Sequence, residues 1–297
     1  MRGRLLIFGG GGFIGGNLAE VALGRGWQVH IAGTTVRQAI PEATWHTVNV
    51  TQPTAVRALV GQVRPVAAVY LAAVADIDRA EKEQELAWAV NVEGARTAAS
   101  ACAELGAACL YMSSDAVFAG TAEVYGEEDP PAPVNFYGRT KAEGEKAVRA
   151  AHPRASVVRI SLALGFPVTS GNSFLAALEA KLRQEREIVC PADELRTPID
   201  VLTLSSCLLE LAEKDFAGVV HLGSTDSIDR LSLTRRAADL LGYPQARITA
   251  QPAGPDPSGR APRHKRGVIS VARARSLLST TLLTAERSIR RAIEERL

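Results

Sequence analysis

The fold is decided by the stretch LLIFGGGGFIGG, which occupies residues 5–16. Its first four residues are apolar and fit a short buried strand, and the glycines that follow have GxxGxxG spacing at Gly9, Gly12 and Gly15. Glycine there permits a tight turn, lets the backbone approach a pyrophosphate and lets a helix pack on the strand. Because a helical pattern begins at Ile14, the stretch predicts a dinucleotide-binding loop, with a merely flexible turn as the alternative.

Short apolar runs alternate with amphipathic stretches of helix length through the first 160 residues, which is typical of parallel strands joined by crossover helices. The predicted strands cover residues 5–8, 29–32, 47–50, 67–71, 108–112 and 157–160. The predicted helices cover residues 14–23, 54–63, 83–105 and 137–151. This order predicts an α/β fold with a Rossmann-type doubly wound parallel sheet, whose ligand crevice lies at the carboxyl ends of the strands.

The alternation loosens after residue 160. Helices are predicted over 173–185, 201–214, 233–241 and 285–296, and one further strand over 219–222. We therefore predict an NAD(P)-binding Rossmann domain over residues 1–160 and a smaller C-terminal substrate-binding lobe over 161–297, interleaved with the first.

Composition excludes several classes of protein. The 297 residues carry 34 basic and 32 acidic side chains, and the net charge of +2 gives no general reason to expect nucleic acid as a partner. The four cysteines lack CxxC spacing and neighbouring histidines, so no metal site is expected. The longest apolar run, 66–75, is far shorter than the roughly 20 residues that cross a bilayer. We expect a cytoplasmic protein without nucleic-acid or membrane partners, with a homodimer as a possible assembly.

A second motif combines a predicted helix with the end of a predicted strand. Tyr137 and Lys141 stand four residues apart, which places the phenol and the ammonium group on one face of the helix. Ser114 lies just after the strand 108–112, at the sheet edge where a doubly wound fold binds its ligands. Each residue could be structural by itself, as a turn former, a core residue and a solvated helix residue. Together with the glycine loop they indicate an enzyme whose catalytic residues are Ser114, Tyr137 and Lys141.

These motifs resemble those of the extended short-chain dehydrogenase/reductases. The glycine loop with Gly16, Asn17 and Leu18 is similar to the nucleotide loop of that family, and Tyr137 and Lys141 match its YxxxK motif. More narrowly, the chain resembles the dTDP-4-dehydrorhamnose reductase branch in residues 113–120, 128–130, 135–145, 172–174 and 196–198. The resemblance implies an NAD(P)H-dependent reductase of a keto group on a nucleotide-activated deoxysugar.

The resemblance also implies a role for each catalytic residue. Tyr137 would give a proton to the carbonyl oxygen as hydride arrives from the nicotinamide, and Ser114 would hold that oxygen by a hydrogen bond. Lys141 would bind the nicotinamide ribose and lower the pKa of the Tyr137 phenol, because a nearby cation favours phenolate. Asn91 is expected to be structural, or to hold a water molecule, near Lys141.

Two sets of binding residues follow from the same resemblance. The cofactor set comprises Gly9, Gly12, Phe13, Ile14, Gly15, Thr34, Arg37, Asn49, Val50, Ala72 and Ala73, together with Tyr137 and Lys141. The substrate set comprises Val74, Asp115, Ala116, Asn172 and Arg196. Because arginine suits bidentate contact with a diphosphate, Arg196 or the basic loop 260–266 is expected to supply the cation that the substrate requires.

Cofactor preference is predicted from the end of the second strand. NAD-selective folds place an acidic residue there for the ribose 2′-hydroxyl, whereas NADP-selective folds leave room and a cation for the phosphate. No carboxylate occurs between residue 31 and Glu42, and Thr34, Thr35 and Arg37 follow the strand. The sequence thus predicts a preference for NADP(H), with NAD(H) as a possible cofactor and with Arg37 as a solvated loop residue in the alternative interpretation.

Two alternative functions stay open at this point. An epimerase or dehydratase of the same superfamily regenerates its nicotinamide in each turnover and needs acid/base residues near the serine, where Asp115 is available. A non-catalytic NADP-binding regulatory subunit is the other alternative, because the regulatory β subunit of methionine adenosyltransferase resembles the same branch. Stoichiometric consumption of NADPH would separate the reductase from both.

Overall fold

The computed structural model describes residues 2–35, 40–251 and 259–296. These residues form the strands β1 (Arg4–Phe8), β2 (Gln28–Gly33), β3 (Thr44–Thr47), β4 (Ala67–Tyr70), β5 (Ala108–Ser114), β6 (Ser156–Ile160), β7 (Leu162–Leu164), β8 (Ile188–Cys190), β9 (Leu195–Arg196), β10 (Pro198–Asp200), β11 (Gly218–Leu222), β12 (Ile228–Asp229), β13 (Ile248–Ala250) and β14 (Arg266–Gly267).

The same ranges form the helices α1 (Phe13–Gly24), α2 (Pro53–Val63), α3 (Ile77–Lys82), α4 (Gln84–Trp88), α5 (Ala95–Leu105), α6 (Phe136–Ala151), α7 (Phe174–Arg183), α8 (Val201–Lys214), α9 (Arg230–Leu240), α10 (Ala272–Leu277) and α11 (Ala285–Glu294). A π-helical turn (Ala89–Gly94) joins α4 to α5, and a 3₁₀ turn (Asp115–Val117) follows β5. Among the described helices, none has both the length and the apolar character needed to cross a bilayer.

The described strands include seven that build one parallel sheet in the order β11-β6-β5-β4-β1-β2-β3. The chain winds outward from β1 to β3 on one side, and then from β4 to β11 on the other. The order therefore reverses between β1 and β4, which is the switch point where open α/β sheets bind ligands. This topology confirms the predicted doubly wound fold.

The central strands are apolar because helices cover both faces of the sheet. Leu5 and Ile7 of β1 belong to a core that includes α1 and α8, whereas Leu6 and Phe8 belong to a second core that includes α2 and α5. All four side chains are fully buried. The alternation of side chains along β1 thus fixes both helical layers around the glycine loop.

The residues after position 160 pack in two places, in a core of their own and against the central sheet. A third core is formed by α7, α9 and α11, with Leu175, Leu233 and Ile289 among its buried members. However, β11 pairs with β6 in the central sheet, and α8 packs against α1. The division into two interleaved lobes near residue 160 stays a prediction. The strand β11 and the helix α8 are the elements after residue 160 that pack with the first part of the chain.

Two predicted elements differ from the structure. The helix predicted over 83–105 consists of α4, the π-helical turn and α5, and α3 precedes it with Asp76 as its N-cap. The strand predicted over 47–50 occupies Thr44–Thr47 instead, because its residues pair with β2, which ends at Gly33. Both differences arise from contacts with neighbouring segments rather than from local sequence pattern.

Candidate active site

The glycine loop has no space for side chains at Gly9 and Gly15. Gly9 has a φ of +78°, and a Cβ atom there would lie 2.6 Å from the backbone nitrogen of Ala72. A Cβ atom on Gly15 would lie 2.5 Å from the Cα of Gly10, so α1 packs closely on the turn. The helix begins at Phe13, directly after Gly12, and its first N–H groups face the loop as an anion site. The loop thus fits the pyrophosphate of a dinucleotide.

A cleft of about 500 Å³ opens beside this loop. Its lining brings together seven residues of the predicted cofactor set, which are Gly9, Gly12, Thr34, Asn49, Val50, Ala72 and Ala73. Phe13, Ile14 and Gly15 form the first turn of α1. The described residues that line the cleft carry no charged side chain. Arg37, which is predicted to contact a 2′-phosphate, lies outside the described residues.

A segment from the C-terminal part of the chain holds the glycine loop from outside. The hydroxyl groups of Thr169 and Ser170 donate to the carbonyl oxygen of Gly11 at 2.9 Å and 2.6 Å. The side-chain amide of Asn17 donates to the carbonyl oxygen of Phe166 at 3.0 Å. Sequence reasoning missed these contacts, and only a short run of small polar residues marks the segment. These hydrogen bonds form a clamp, residues 166–170, that holds the backbone of the glycine loop in place.

The catalytic residues predicted from the sequence come from two adjoining elements. Ser114 is the last residue of β5, and its Oγ accepts a hydrogen bond from the backbone N–H of Ala116 at 3.1 Å. Tyr137 and Lys141 lie in the first turns of α6, which begins after Asn135, whose Oδ1 accepts from the backbone N–H of Gly138 at 2.8 Å. The Ser114 hydroxyl lies near enough to the Tyr137 phenol to act on its pKa. The serine and the tyrosine of the predicted set are therefore neighbours.

Burial dominates the titration of both groups on α6. It raises the pKa of the Tyr137 phenol to about 12, although the nearby hydroxyl of Ser114 acts in the opposite direction. It also lowers the pKa of the Lys141 ammonium group to about 7, against the favourable charge of Glu145. The expected lowering of the phenol pKa by Lys141 is wrong for this structure, because burial raises that pKa and Lys141 is not among the groups that shift it. The reason is that desolvation disfavours phenolate and ammonium alike.

A buried ion pair lies on the inner side of α6. Glu145 is 5% exposed and accepts from two guanidinium nitrogens of Arg159 at 2.8 Å and 2.7 Å. Ser113 donates a third hydrogen bond to the same carboxylate. The Nζ atom of Lys141 lies 4.4 Å from the ring centroid of Tyr111, over its face. Lys141 is thus held among buried groups, and Glu145 is already neutralised by Arg159.

Asn91 connects the loop after β4 to the catalytic helix. Its Oδ1 accepts from the backbone N–H of Val74 at 2.9 Å, and its Nδ2 donates to the hydroxyl of Thr140 at 2.9 Å. Asn91 is fully buried in the π-helical turn, a type of turn that occurs frequently at functional sites. These contacts support the structural role expected for Asn91, and they place the backbone of Val74 beside α6.

Asp115, predicted to contact substrate, lies in a buried network of protein groups. Its Oδ1 accepts from the hydroxyl of Ser114 at 3.0 Å. Its Oδ2 accepts from Ser161 at 2.8 Å and lies 3.0 Å from Nε2 of His264. Burial raises the pKa of the Asp115 carboxyl, but His264, Arg196 and the hydrogen bond from Ser161 outweigh burial and hold it below its usual value. Sequence reasoning missed His264, since a single histidine in a basic loop gives no local signal.

Arg196 makes contacts that favour a structural role over the predicted contact with a diphosphate. It is 8% exposed, and its guanidinium donates to the backbone oxygens of Leu195, Lys265 and His264 at 2.8–3.1 Å. It also pairs with Glu194 at 3.2 Å. The geometric reason is that β9 and β14 pair here, so the guanidinium bridges two backbone segments.

The other predicted substrate residues lie near the same edge of the sheet with different exposures. Ala116 is buried in the 3₁₀ turn, whereas Asn172 is exposed just before Ser173, the N-cap of α7. In the basic loop, Arg263 pairs with Asp78 and Lys265 pairs with Asp193. Both of these loop cations are therefore already neutralised by protein carboxylates.

The combination of fold and site defines a class of protein. A glycine-loop cleft at the switch point of a parallel sheet, with a serine at the end of β5 and a tyrosine and a lysine in the first turns of α6, is the arrangement of extended short-chain dehydrogenase/reductases. These are NAD(P)-dependent oxidoreductases, and this chain is one of them. The RmlD substrate binding domain family matches residues 3–297, and the chain belongs to that family.

Known relatives agree with this assignment. The dTDP-4-dehydrorhamnose reductase of Mycolicibacterium smegmatis is 32% identical over 278 residues, which cover 92% of this chain and 80% of the relative. The methionine adenosyltransferase 2 subunit beta of Xenopus tropicalis is 29% identical and covers 88% of this chain and 78% of its own length. A dTDP-4-dehydrorhamnose reductase of Bacillus anthracis, solved in complex with NADP, has a TM-score of 0.86 at 26% identity and covers 99% of both chains. These findings confirm the predicted family and fold class.

Proposed function

We propose that the protein reduces the keto group of a nucleotide-activated deoxysugar with NADPH as the hydride donor. The observation that carries this proposal is the placement of Ser114, the last residue of β5, beside Tyr137 and Lys141 of α6, at the same sheet edge as the glycine-loop cleft. The similarity to dTDP-4-dehydrorhamnose reductases supports a sugar nucleotide as the substrate class.

The cofactor is held by the first half of the sheet in this proposal. The glycine loop and the start of α1 bind the pyrophosphate, and Asn49, Val50 and Ala72 line the cleft for the rest of the dinucleotide. When bound, NADPH supplies a hydride to the carbonyl carbon. Preference for NADP(H) over NAD(H) is supported by the absence of a carboxylate after β2 in the sequence and by the NADP-bound relative from Bacillus anthracis. The contact of Arg37 with the 2′-phosphate stays a prediction.

The chain itself supplies the proton and the oxygen contact. Tyr137 donates its phenolic proton to the carbonyl oxygen, where negative charge develops, and Ser114 donates a hydrogen bond to the same atom. Lys141 binds the nicotinamide ribose from one helical turn along α6. A phenol with a pKa of about 12 is protonated at neutral pH, which is the state that a proton donor requires.

The contacts of Asp115 favour a reductase over an epimerase or dehydratase. Such enzymes need a further acid or base near the serine, and Asp115 is the residue at that position. Its carboxylate is 2% exposed, accepts hydrogen bonds from Ser114 and Ser161, and lies 3.0 Å from Nε2 of His264. A carboxylate with these partners is a poor candidate for proton exchange with a substrate.

A regulatory NADP-binding subunit is the second candidate, because relatives named methionine adenosyltransferase 2 subunit beta match the chain over most of its length. The complete set of Ser114, Tyr137 and Lys141 supports catalysis instead, since a binding subunit needs no proton donor. The smaller lobe is proposed to close over the sugar, and a homodimer and a cytoplasmic location stay predictions.

The experiment measures NADPH oxidation and sugar product in parallel for a panel of nucleotide-activated 4-keto-deoxysugars. We expect one NADPH to be consumed for each sugar that is reduced. Conversion of the sugar without net NADPH consumption would identify an epimerase or dehydratase. NADPH binding, seen by fluorescence quenching, without turnover of any sugar in the panel would favour the regulatory subunit.

A further inference from the structure

The hydroxyl of Ser114 has one proton, which it already donates within the protein. Oγ donates it to Oδ1 of Asp115 at 3.0 Å and accepts the N–H of Ala116 at 3.1 Å. Ser114 therefore cannot donate to a substrate oxygen unless it gives up its bond to Asp115.

The strength of that bond depends on what surrounds the other oxygen of the carboxylate. Oδ2 of Asp115 accepts from Ser161 at 2.8 Å and lies 3.0 Å from Nε2 of His264 and 3.8 Å from Nε of Arg196. In a site of low dielectric constant, an uncompensated carboxylate would be a strong acceptor for the serine proton. The Ser161 donor, the Arg196 guanidinium and the polar ring of His264 beside this oxygen weaken the attraction of the carboxylate for that proton.

His264 is built into this network rather than placed there by chance. It is 4% exposed and comes from the segment that precedes β14, about 150 residues after Asp115 in the chain. The two side chains meet because Gly267 leaves room for them: a Cβ atom there would lie 2.0 Å from Oδ2 of Asp115 and 2.8 Å from Nε2 of His264. Asn135, the N-cap of α6, donates to the carbonyl oxygen of Pro262 at 2.8 Å and holds the same segment.

We propose that Asp115 and His264 are positioning residues for Ser114. Asp115 holds the hydroxyl in place before the keto substrate arrives, and His264, which lies against the other oxygen of that carboxylate, makes it easier for the proton of Ser114 to turn to the keto oxygen. The exchange breaks one hydrogen bond and forms another, and no covalent bond changes. This inference rests on the proposed reductase function.

The proposed action of His264 on Ser114 stabilises the transition state more than the bound substrate. The keto oxygen gains negative charge as hydride arrives, so a donated hydrogen bond from Ser114 strengthens at that stage. Without His264, Asp115 retains the serine proton more strongly. We therefore expect His264→Ala to lower kcat by about tenfold, which corresponds to about 1.4 kcal/mol, with little change in KM or in NADPH affinity. His264→Gln, which keeps an N–H donor, should recover most of the rate.

A double-mutant cycle with Ser114→Ala tests the proposal. If His264 acts through Ser114, His264→Ala changes kcat by less than about twofold in the Ser114→Ala background, because the group it positions is gone. The same reduction factor in both backgrounds would overturn the proposal. Asp115→Asn keeps the size of the side chain and is combined with Ser114→Ala in a second cycle of the same design. This second cycle decides the outcome if His264→Ala no longer binds NADPH.

Asp78→Asn is the matched control. Asp78 binds Arg263 and the backbone of Ala261, so this change loosens the same segment without touching Asp115. It should leave kcat within about twofold of the wild type. A loss as large as that of His264→Ala would assign the effect to the segment and overturn the proposal. Failure of the wild-type protein to oxidise NADPH with any keto sugar would instead contradict the proposed function.

Discussion

The nucleotide cleft and the region around Ser114 are built in opposite ways. The cleft is lined mostly by residues from the first 90 positions, and its described lining is neutral. The region around Ser114 combines Asp115, Arg196 and His264, which are far apart in the chain and are buried together. Backbone N–H groups and a helix terminus suffice to bind a pyrophosphate. Moving a proton requires charges that only tertiary contacts bring together.

The difference extends to energetics. Glycine turns cost conformational entropy, of roughly 1 kcal/mol each at most. Buried charges cost several kcal/mol unless they are well paired, and Glu145 with Arg159 shows such pairing on the inner side of α6. We infer that single substitutions in the cleft change NADPH affinity modestly. In the region around Ser114, by contrast, the reaction rate depends on single atoms.

The largest effect is expected for Tyr137→Phe. This change keeps the ring and deletes the phenolic oxygen, so the fold and NADPH binding should survive. A proton donor contributes roughly 100- to 10,000-fold in rate, whereas one structural hydrogen bond contributes about 1 kcal/mol. Steady-state turnover with an accepted keto sugar measures the loss. Retention of more than about a tenth of the wild-type rate would contradict proton donation by Tyr137.

Lys141→Met should stabilise the protein without NADPH. Burial lowers the pKa of Lys141 to about 7, while the unfolded chain keeps this proton up to a pH of about 10.4. The unfolded state thus binds more protons between these values, and the free energy of unfolding of the wild type rises with pH there. The variant should be more stable by a few kcal/mol at pH 6, at about 1.4 kcal/mol per pKa unit, and the difference should vanish near pH 10.

Chemical denaturation across this pH range checks the prediction. Lys146→Met is the control, because Lys146 lies on the exposed face of the same helix and pairs only with Glu143 at its surface. That control should show no such pH dependence, since exposed ion pairs contribute little. Equal pH slopes for the wild type and Lys141→Met would show that the lysine is not desolvated.

Gly9→Ala should weaken NADPH binding in the cleft. An alanine at a φ of +78° costs about 1–2 kcal/mol, and its Cβ atom would also press on the backbone of Ala72. We expect NADPH affinity to fall by about ten- to thirtyfold, measured by fluorescence titration. Gly242→Ala is the matched control, because Gly242 has a φ of +89° in open space after α9. It should lower stability by a similar strain and leave NADPH affinity unchanged.

Thr169→Val should have the smallest effect. It preserves the shape of the side chain and removes the hydrogen bond to Gly11 that clamps the glycine loop. The loss of one such bond costs about 1 kcal/mol, or about fivefold in NADPH affinity. Thr234→Val removes an equivalent hydroxyl bond inside α9, to the carbonyl of Arg230, and should leave that affinity unchanged. Equal affinities for both variants would show that the clamp does not act on the cofactor.

The elements that the sequence predicts well carry strong local signals. The strand β1, the helix α1 and the helix α6 were predicted within two residues of their observed bounds, because apolar runs, glycines and four-residue spacing mark them. The helix predicted over 83–105 missed the π-helical turn, whose Asn91 bonds to Val74 and Thr140. Strands of two or three residues, such as β9 and β14, are too short for any periodicity.

The sequence by itself determined the doubly wound fold, the glycine loop and the candidate set of Ser114, Tyr137 and Lys141. Each depends on spacing over a few residues, which is visible without a structure. Only the tertiary structure decided that Arg196 bridges backbone segments and that Asp115 meets His264. It also decided the raised pKa of Tyr137 and the lowered pKa of Lys141. The physical reason is that burial and charge pairing depend on which distant segments pack together, and no local pattern encodes that packing.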